Sequence, residues 1–308
     1  MIRVALLALA TLPSSSDDKP FVLRADRIHT LAGPTIEGGA VVVAGGRIVA
    51  VGASVDVPRD AIELRGAHLT PGLIDASSVA GLRGTGVEES SEITPSHRAI
   101  DDVDAASVDF ERLVRRGVTT IFVGPGNRSV IGGLGAVLKT APLGAPRVLA
   151  PESALKMTLG PEPSQGNSTP RNFQLPRGPF VRRPNGRPAV VAAIRQALFD
   201  AERAVARGGD LDPDTARLAD ALRGRLPVRV FARELIDLRA ALRLQSEFKL
   251  KMQIEGAFEA HRYLPELKAA GVPLILGPAP VDPFGTPFEA FDEEPTLRLV
   301  EAVAAAGI

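Results

Sequence analysis

A regular alternation of short apolar runs and helix-length segments begins at Leu69 and constrains the fold of this chain more than any other feature. The apolar runs have the length and β-branched content of buried strands, and several of the segments between them end at glycine, as helices do. This alternation is typical of βα units around a parallel sheet. The predicted elements are helix 110–116, strand 118–123, strand 228–231, helix 234–248, strand 251–254, helix 263–270, strand 272–277 and helix 294–306.

The region before Leu69 has a different pattern. Three short β-branched runs lie at 21–25, 40–43 and 47–51, and they are separated by Gly38-Gly39 and Gly45-Gly46. This spacing predicts a meander of small strands joined by tight turns. We therefore predict an α/β protein with a small β-subdomain over 20–68 and a larger βα unit over 69–308.

Composition excludes several classes of function. The 308 residues include 36 Lys and Arg against 36 Asp and Glu, so no net charge attracts nucleic acid or an anionic membrane. The sequence has one Tyr and no Trp, which disfavours platforms for stacking bases. It has no Cys, which excludes disulfides, thiolate metal sites and cysteine nucleophiles.

The N-terminus resembles an export signal. Arg3 precedes the apolar run 4–12, which contains the small-x-small triplet Ala8-Leu9-Ala10 and is followed by Pro13 and three serines. We predict a signal peptide over 1–16 and export to the periplasm or the exterior. The alternative is a mildly apolar, frayed terminus of a cytoplasmic protein.

Several segments in order resemble the imidazolonepropionase-like group of the amidohydrolase superfamily. They include Thr70-Pro71-Gly72-Leu73-Ile74-Asp75, Gly117-Val118-Thr119-Thr120, the run 130–140, Leu155-Lys156-Met157-Thr158-Leu159-Gly160 and Ile254-Glu255-Gly256-Ala257. The resemblance implies a TIM-type (β/α)8 barrel, and it implies that the N-terminal β-subdomain is half of a β-sandwich. In that family, one or two divalent metals at the barrel mouth activate water.

The resemblance also implies that the family's metal-ligand positions carry other residues in this sequence. The His-x-His pair of the first barrel strand corresponds to Ser77 and Val79, and the two later histidines correspond to Phe231 and Gly256. The chain stops at Ile308, where the eighth strand with its aspartate should begin, so we predict an incomplete barrel. We therefore predict no catalytic, cofactor-binding or metal-binding residue and no cofactor.

Five surviving polar residues are candidates for a rebuilt site, namely Lys156, His97, His261, Glu255 and Asp75. We interpret Lys156 as a lysine in a loop or with its amine reaching solvent, and both histidines as satisfied surface or rim residues. Asp75 is best explained as a structural carboxylate at a strand end. Glu255 alone cannot replace a site of three or four ligands.

Two regions of the sequence lack the apolar pattern of a helix or strand. The glycine-rich run 124–135 lacks the ending of a phosphate-binding loop, so we predict a tight loop at the barrel face. The stretch 161–188 is dense in Pro, Gly, Asn and Arg, which predicts a solvated loop, with a lid over the barrel mouth as the alternative.

The favoured hypothesis is an amidohydrolase-like pseudoenzyme with a binding or structural role and a small-molecule ligand in a dry pocket at the barrel mouth, lined by Val79 and Phe231. The alternatives are a metal-dependent hydrolase of C–N bonds with a rebuilt site, and a non-functional gene product. Open sheet edges predict a homo-oligomer that covers them, or a chain that is a fragment of a longer protein. We expect no nucleic-acid and no membrane partner.

Overall fold

The structure is a computed structural model, and it describes residues 19–84, 86–88, 90–140, 148–164, 184–277 and 296–308. The chain divides into two compact units, Met1–Gly72 and Leu73–Ile308. The predicted signal peptide over 1–16 lies outside the described residues. None of the helices within those ranges is long and apolar enough to cross a bilayer.

The first unit contains a four-stranded sheet in the order β3-β2-β1-β4. Its strands are β1 (Phe21–Ile28), β2 (Ile36–Ala44), β3 (Arg47–Gly52) and β4 (Ile62–Leu69). The three predicted runs lie inside β1, β2 and β3. Gly38-Gly39 was wrongly placed between strands, because both residues belong to β2 and Gly38 adopts a φ of +61° within it. Sequence analysis also missed β4, which pairs parallel with β1.

The second unit contains a seven-stranded, nearly closed barrel-like sheet in the order β11-β10-β9-β8-β7-β6-β5. Its strands are β5 (Leu73–Ser78), β6 (Val118–Val123), β7 (Ile131–Lys139), β8 (Val148–Thr158), β9 (Val228–Ala232), β10 (Met252–Gly256) and β11 (Leu274–Leu276). Its helices are α1 (Val108–Arg115), α2 (Arg187–Arg207), α3 (Pro213–Leu222), α4 (Leu235–Phe248), α5 (Leu264–Ala270) and α6 (Thr296–Ala306). This architecture confirms the predicted α/β class with a barrel and a small separate sheet.

Strand β7 departs from the predicted parallel pattern. It pairs antiparallel with both β6 and β8, whereas β5 with β6, and β8 to β11, run parallel. The second half of run 124–135 is therefore strand and not the predicted loop. The glycines serve close approach here, because a Cβ on Gly135 would lie 2.2 Å from Phe122 Cζ, and one on Gly133 would lie 2.3 Å from the His97 carbonyl oxygen.

Alternation along β8, β9 and β10 separates the two faces of this sheet. Alternate apolar residues belong to the main hydrophobic core, which also contains buried residues of α2, α3, α4 and α5. The core members on the three strands are Leu155, Met157, Val228, Val230, Ala232, Met252 and Ile254. The residues between them point the other way, into the interior of the barrel-like sheet, and this face carries the candidate site.

Two further findings concern the edges and connections of the sheet. Within the described ranges, β5 and β11 are its edge strands. Residues 162–164 form a short 3-10 helix after β8, and α2 begins at Arg187. The middle of the predicted loop or lid, 165–183, lies outside the described residues.

Candidate functional site

Three charged side chains from neighbouring strands meet in the barrel interior. Lys156 on β8, Arg229 on β9 and Glu255 on β10 are each no more than 5% exposed. Lys156 lies directly opposite Arg229 in the β8–β9 register, and Glu255 lies one layer further along, opposite Phe231. Because these residues alternate with the core-facing ones, the sheet geometry fixes all three on one face. We call this group the interior charge cluster.

Glu255 is the shared counter-ion of the interior charge cluster. Its Oε2 accepts a hydrogen bond from Lys156 Nζ, and its Oε1 is in ion-pair contact with Arg229 Nη2. A buried charge is tolerated when it is paired in this way, because the pair offsets part of the lost hydration. Glu255 therefore holds two cations that would otherwise be uncompensated.

Aromatic rings flank the two cations. The Arg229 guanidinium lies 3.6 Å from the centre of the Phe122 ring, and Lys156 Nζ lies 5.5 Å from the centre of the Phe231 ring. Both distances are within the range of cation–π attraction. Arg229 Nη2 also donates a hydrogen bond of 2.5 Å to the backbone carbonyl of Ala76. The guanidinium thereby ties β9 to edge strand β5.

Burial lowers the pKa of both Lys156 and Arg229. Desolvation, with the positive charge of Arg229 as a smaller cause, lowers the pKa of Lys156 to about 7. Desolvation also lowers the pKa of Arg229 to about 10, while the nearby Asp75 carboxylate acts in the opposite direction. Lys156 therefore exchanges its proton close to neutral pH, where ordinary lysines stay charged.

Two polar atoms in this interior have no hydrogen-bond partner among the described residues. They are Arg229 Nε and Thr158 Oγ1, the second on the residue that pairs with Phe231 across β8 and β9. Buried donors and acceptors of this kind are uncommon in folded proteins. Together with the two cations, they offer polar contacts suited to a small acceptor or anionic group.

The positions that correspond to the family's histidines do not fit a metal. Ser77 and Val79 are exposed, Val79 by 74%, and neither imidazole nor carboxylate is available at Phe231 or Gly256. A divalent cation next to the interior charge cluster would meet two like charges at short range. In the described part of the chain, no three His, Asp or Glu side chains are grouped so that they could hold a metal ion.

The structure joins some of the predicted candidates and separates others. Lys156 is not a loop lysine as interpreted, because it lies inside β8 and is 5% exposed, and it contacts Glu255 directly. Asp75 lies close enough to act on Arg229, and its Oδ1 accepts a hydrogen bond of 3.0 Å from the Ser77 backbone.

The two histidine candidates lie on other elements. His97 is exposed and lines a surface cavity of about 630 Å³ with Arg98, Asp101 and Asp102. His261 lies in the 3-10 turn Ala260–Arg262, after β10.

Arg229 is the member of the interior charge cluster that sequence analysis missed. The signal was present, because a charged residue interrupts the otherwise apolar strand Val228-Arg229-Val230-Phe231. Because side chains alternate between the two faces of a sheet, a charged residue between two core residues is expected on the face opposite the core. Val79 was expected to help line a dry pocket with Phe231, but its exposure leaves it open to solvent.

Comparison with known proteins gives a match at the level of structure. No family model and no curated protein matches the sequence. An amidohydrolase from Thermotoga maritima MSB8 superposes with a TM-score of 0.81 at 21% identity, over 94% of this chain and 76% of that chain. A prolidase complexed with N-methylphosphonate-L-proline is 16% identical over 84% of this chain and 78% of its own, with a TM-score of 0.39. A. niger ochratoxinase is 16% identical over 83% and 64%, with a TM-score of 0.38. The first likeness shows that the chain has the amidohydrolase fold, and the imidazolonepropionase-like group stays a prediction.

Proposed function

We propose that this chain is an amidohydrolase-fold protein without a metal centre, and that its role is binding or structural instead of metal-dependent hydrolysis. The interior charge cluster carries the proposal. It places an ammonium and a guanidinium, which share the single carboxylate of Glu255, in the barrel interior. The cluster lies beside Phe231 and Gly256, which are two of the four positions where the family pattern has histidine. Electrostatic repulsion between these cations and a divalent metal opposes metal binding there.

The proposed ligand is a small molecule that enters at the barrel mouth. The unpartnered atoms Arg229 Nε and Thr158 Oγ1, with the two cations, favour a ligand that carries an anionic or acceptor group. The Phe122 and Phe231 rings beside the cations supply apolar contact surface. This combination of apolar walls and a few convergent polar groups is typical of small-molecule sites.

Metal content tests the proposal. The purified chain is exposed to zinc, manganese or iron, dialysed extensively and analysed for metal by elemental analysis. We expect less than about a tenth of an equivalent to be retained, because a weak site loses its metal on dialysis. Retention of about one equivalent by the barrel would contradict the proposal.

A double variant removes one histidine pair that could bind zinc outside the barrel. His29 and His68 stack in the first unit with ring centres 5.3 Å apart, and His29 Nε2 lies 3.0 Å from His68 Nδ1. Exposed histidine pairs bind zinc readily because imidazole is a preferred ligand. The double variant His29→Ala/His68→Ala therefore separates metal held by this pair from metal held by the barrel.

A second candidate is a hydrolase of C–N bonds with a rebuilt metal site. The observation that favours it is the direct contact between Lys156 and Glu255, together with a pKa of about 7 for Lys156, a value suited to a general base. This candidate requires near-stoichiometric metal and hydrolysis of cyclic amides that is lost in Lys156→Met. A metal-free wild type without such activity would eliminate it.

Self-association and export complete the proposal. Edge strand β5 exposes Leu73 by 59% and Ile74 by 72%, and an uncovered apolar edge of this kind favours pairing with a second copy. Sedimentation that shows a compact monomer at all concentrations would contradict self-association. Export depends on residues 1–16, and cell fractionation with and without them tests it.

A further inference from the structure

Two carboxyl side chains converge where strands β8 and β9 end. Glu162 begins the short 3-10 helix that follows β8, and Asp237 lies in the first turn of α4, which follows β9. The two strands are parallel neighbours, so the segments that leave them meet at the C-terminal edge of the sheet. Functional sites of barrel folds lie at this edge. We call Glu162 and Asp237 the mouth carboxyl pair.

Each carboxylate is held by an arginine through one oxygen only. Arg187 Nε donates a hydrogen bond of 3.0 Å to Asp237 Oδ1, and Arg233 Nη1 donates one of 3.2 Å to Glu162 Oε1. The other two oxygens, Asp237 Oδ2 and Glu162 Oε2, are buried and accept no hydrogen bond from any residue that the structure describes. The Asp237 side chain is only 4% exposed, so contact with bulk water does not replace the missing hydrogen bond to its Oδ2.

The two unpartnered oxygens point to one place beside Gly160. A Cβ on Gly160 would lie 2.6 Å from Glu162 Oε2 and 3.1 Å from Asp237 Oδ2. The oxygens are therefore close enough to each other to contact a single bound ion. Gly160 also has a φ of +103°, a conformation that side chains disfavour, so the backbone is shaped to let both oxygens approach.

Among the described residues, the ion pairs around the mouth carboxyl pair join two arginines to three carboxylates. Arg187 and Arg233 offset two of the three carboxylates in the group, the third being Glu234, which pairs with Arg187. Burial raises the pKa of both Glu162 and Asp237, while their arginine partners act in the opposite direction. Asp237 is further stabilised in its charged form because it lies in the first turn of a helix.

We propose that Glu162 Oε2 and Asp237 Oδ2 bind a monovalent cation, which is either an inorganic ion or the primary ammonium group of a ligand. One positive charge completes the group, and both unpartnered oxygens gain a contact. A divalent ion fits less well, because it would leave the group with an excess of positive charge and two arginines already lie on the far sides of the carboxylates. The site uses no member of the interior charge cluster.

Thermal unfolding of the full chain tests this site. Tetramethylammonium chloride, whose cation has no N–H donor and is bulky, is replaced stepwise by KCl, NaCl or methylammonium chloride at constant ionic strength. A cation that binds only the folded state raises the melting temperature with each step. We expect a rise of about 2–4 °C per tenfold increase in its concentration above the dissociation constant. A response to K⁺ or Na⁺ identifies an inorganic ion, and a response to methylammonium identifies an ammonium ligand.

Three variants give the test its specificity. Glu162→Gln and Asp237→Asn should lose the dependence on cation concentration, whatever their own melting temperatures, because each removes one of the two charged oxygens. Glu247→Gln should retain it, because Glu247 pairs with Arg195 at the other end of α4 and contributes neither unpartnered oxygen.

Two results would overturn the proposal. The first is a wild-type melting temperature that is the same in all four salts, or a dependence that survives in Glu162→Gln. The second is a melting temperature that falls as pH rises through the acidic range, independent of the cation, with Glu162→Gln abolishing the fall. That pattern would show that the two carboxyls share a proton and bind no ion.

Discussion

The interior charge cluster and the mouth carboxyl pair place buried charges in two different ways. In the interior, one carboxylate contacts two cations, and all three side chains are fixed by strands. At the mouth, two carboxylates face each other and their arginines lie on the outer sides. The first group joins two cations to one carboxylate, whereas the second joins three carboxylates to two arginines. The comparison indicates that the strands hold an excess of positive charge, while the helical turns that follow them hold an excess of negative charge.

Removing the counter-ion of the interior should have the largest effect. Glu255→Gln leaves Lys156 and Arg229 buried without a carboxylate. We expect the free energy of unfolding at pH 6, where Lys156 is charged, to decrease by about 3–5 kcal/mol. Urea denaturation measures this loss. The matched change at the mouth, Glu162→Gln, should cost less, and an equal cost for both would remove the distinction between the two sites.

The pH dependence of stability sharpens the same comparison. The pKa of Lys156 in the folded chain is about 7, below its ordinary value of 10.5, so between these values the unfolded chain binds a proton that the folded chain lacks. The resulting penalty is complete below pH 7 and disappears as the pH rises towards 10.5. Stability should therefore increase from pH 7 to pH 9.5, by up to about 1.4 kcal/mol per pH unit. Denaturation curves for the wild type and Lys156→Met across this range should differ in slope, and parallel slopes would contradict the prediction.

A substitution at Gly160 tests the mouth without changing a charge. Gly160→Ala adds a methyl group 2.6 Å from Glu162 Oε2 in a backbone conformation that alanine disfavours. We expect a loss of about 1–3 kcal/mol in unfolding free energy together with a loss of the cation dependence. Gly224→Ala is the control, because Gly224 also has a positive φ, +68°, but a Cβ there would meet no atom within 4 Å. If both variants retain the cation response, the approach of the two oxygens to Gly160 has no functional role.

The smallest effect is expected at the rim of the mouth. Glu234 pairs with Arg187, but its side chain is 47% exposed. Exposed ion pairs contribute little because water screens them, so Glu234→Gln should change the unfolding free energy by less than about 1 kcal/mol. A larger change in urea denaturation would mean that the arginines at the mouth depend on Glu234 more than its exposure suggests.

Much of the fold could be predicted because apolar periodicity is a local signal. The strand at 118–123 and helices such as α4 and α5 were predicted within a few residues. Strand β7 was missed because its glycines, which usually indicate turns, instead make room for Phe122 and the His97 carbonyl. Strand β4 was missed as well, because its apolar alternation is limited to Ile62-Glu63-Leu64-Arg65 and is followed by Gly66 and Ala67.

Sequence analysis predicted no site residue, although it named two members of the interior charge cluster. Lys156 and Glu255 were each named, yet they are 99 positions apart and only the pairing of β8, β9 and β10 brings them together. Register of this kind depends on the whole sheet and not on the local sequence. Arg229 was missed for the same reason, because its partners come from three other strands.

The backbone at Gly256 limits which side chains this position accepts. Its φ is +85°, and a Cβ there would lie 3.1 Å from Phe231 Cε2. A histidine introduced at Gly256 alone would be strained, and one introduced at Phe231 alone would lie beside the buried Lys156. The two positions are therefore coupled by packing, and a designer who wished to install a metal site in this barrel would have to change both together.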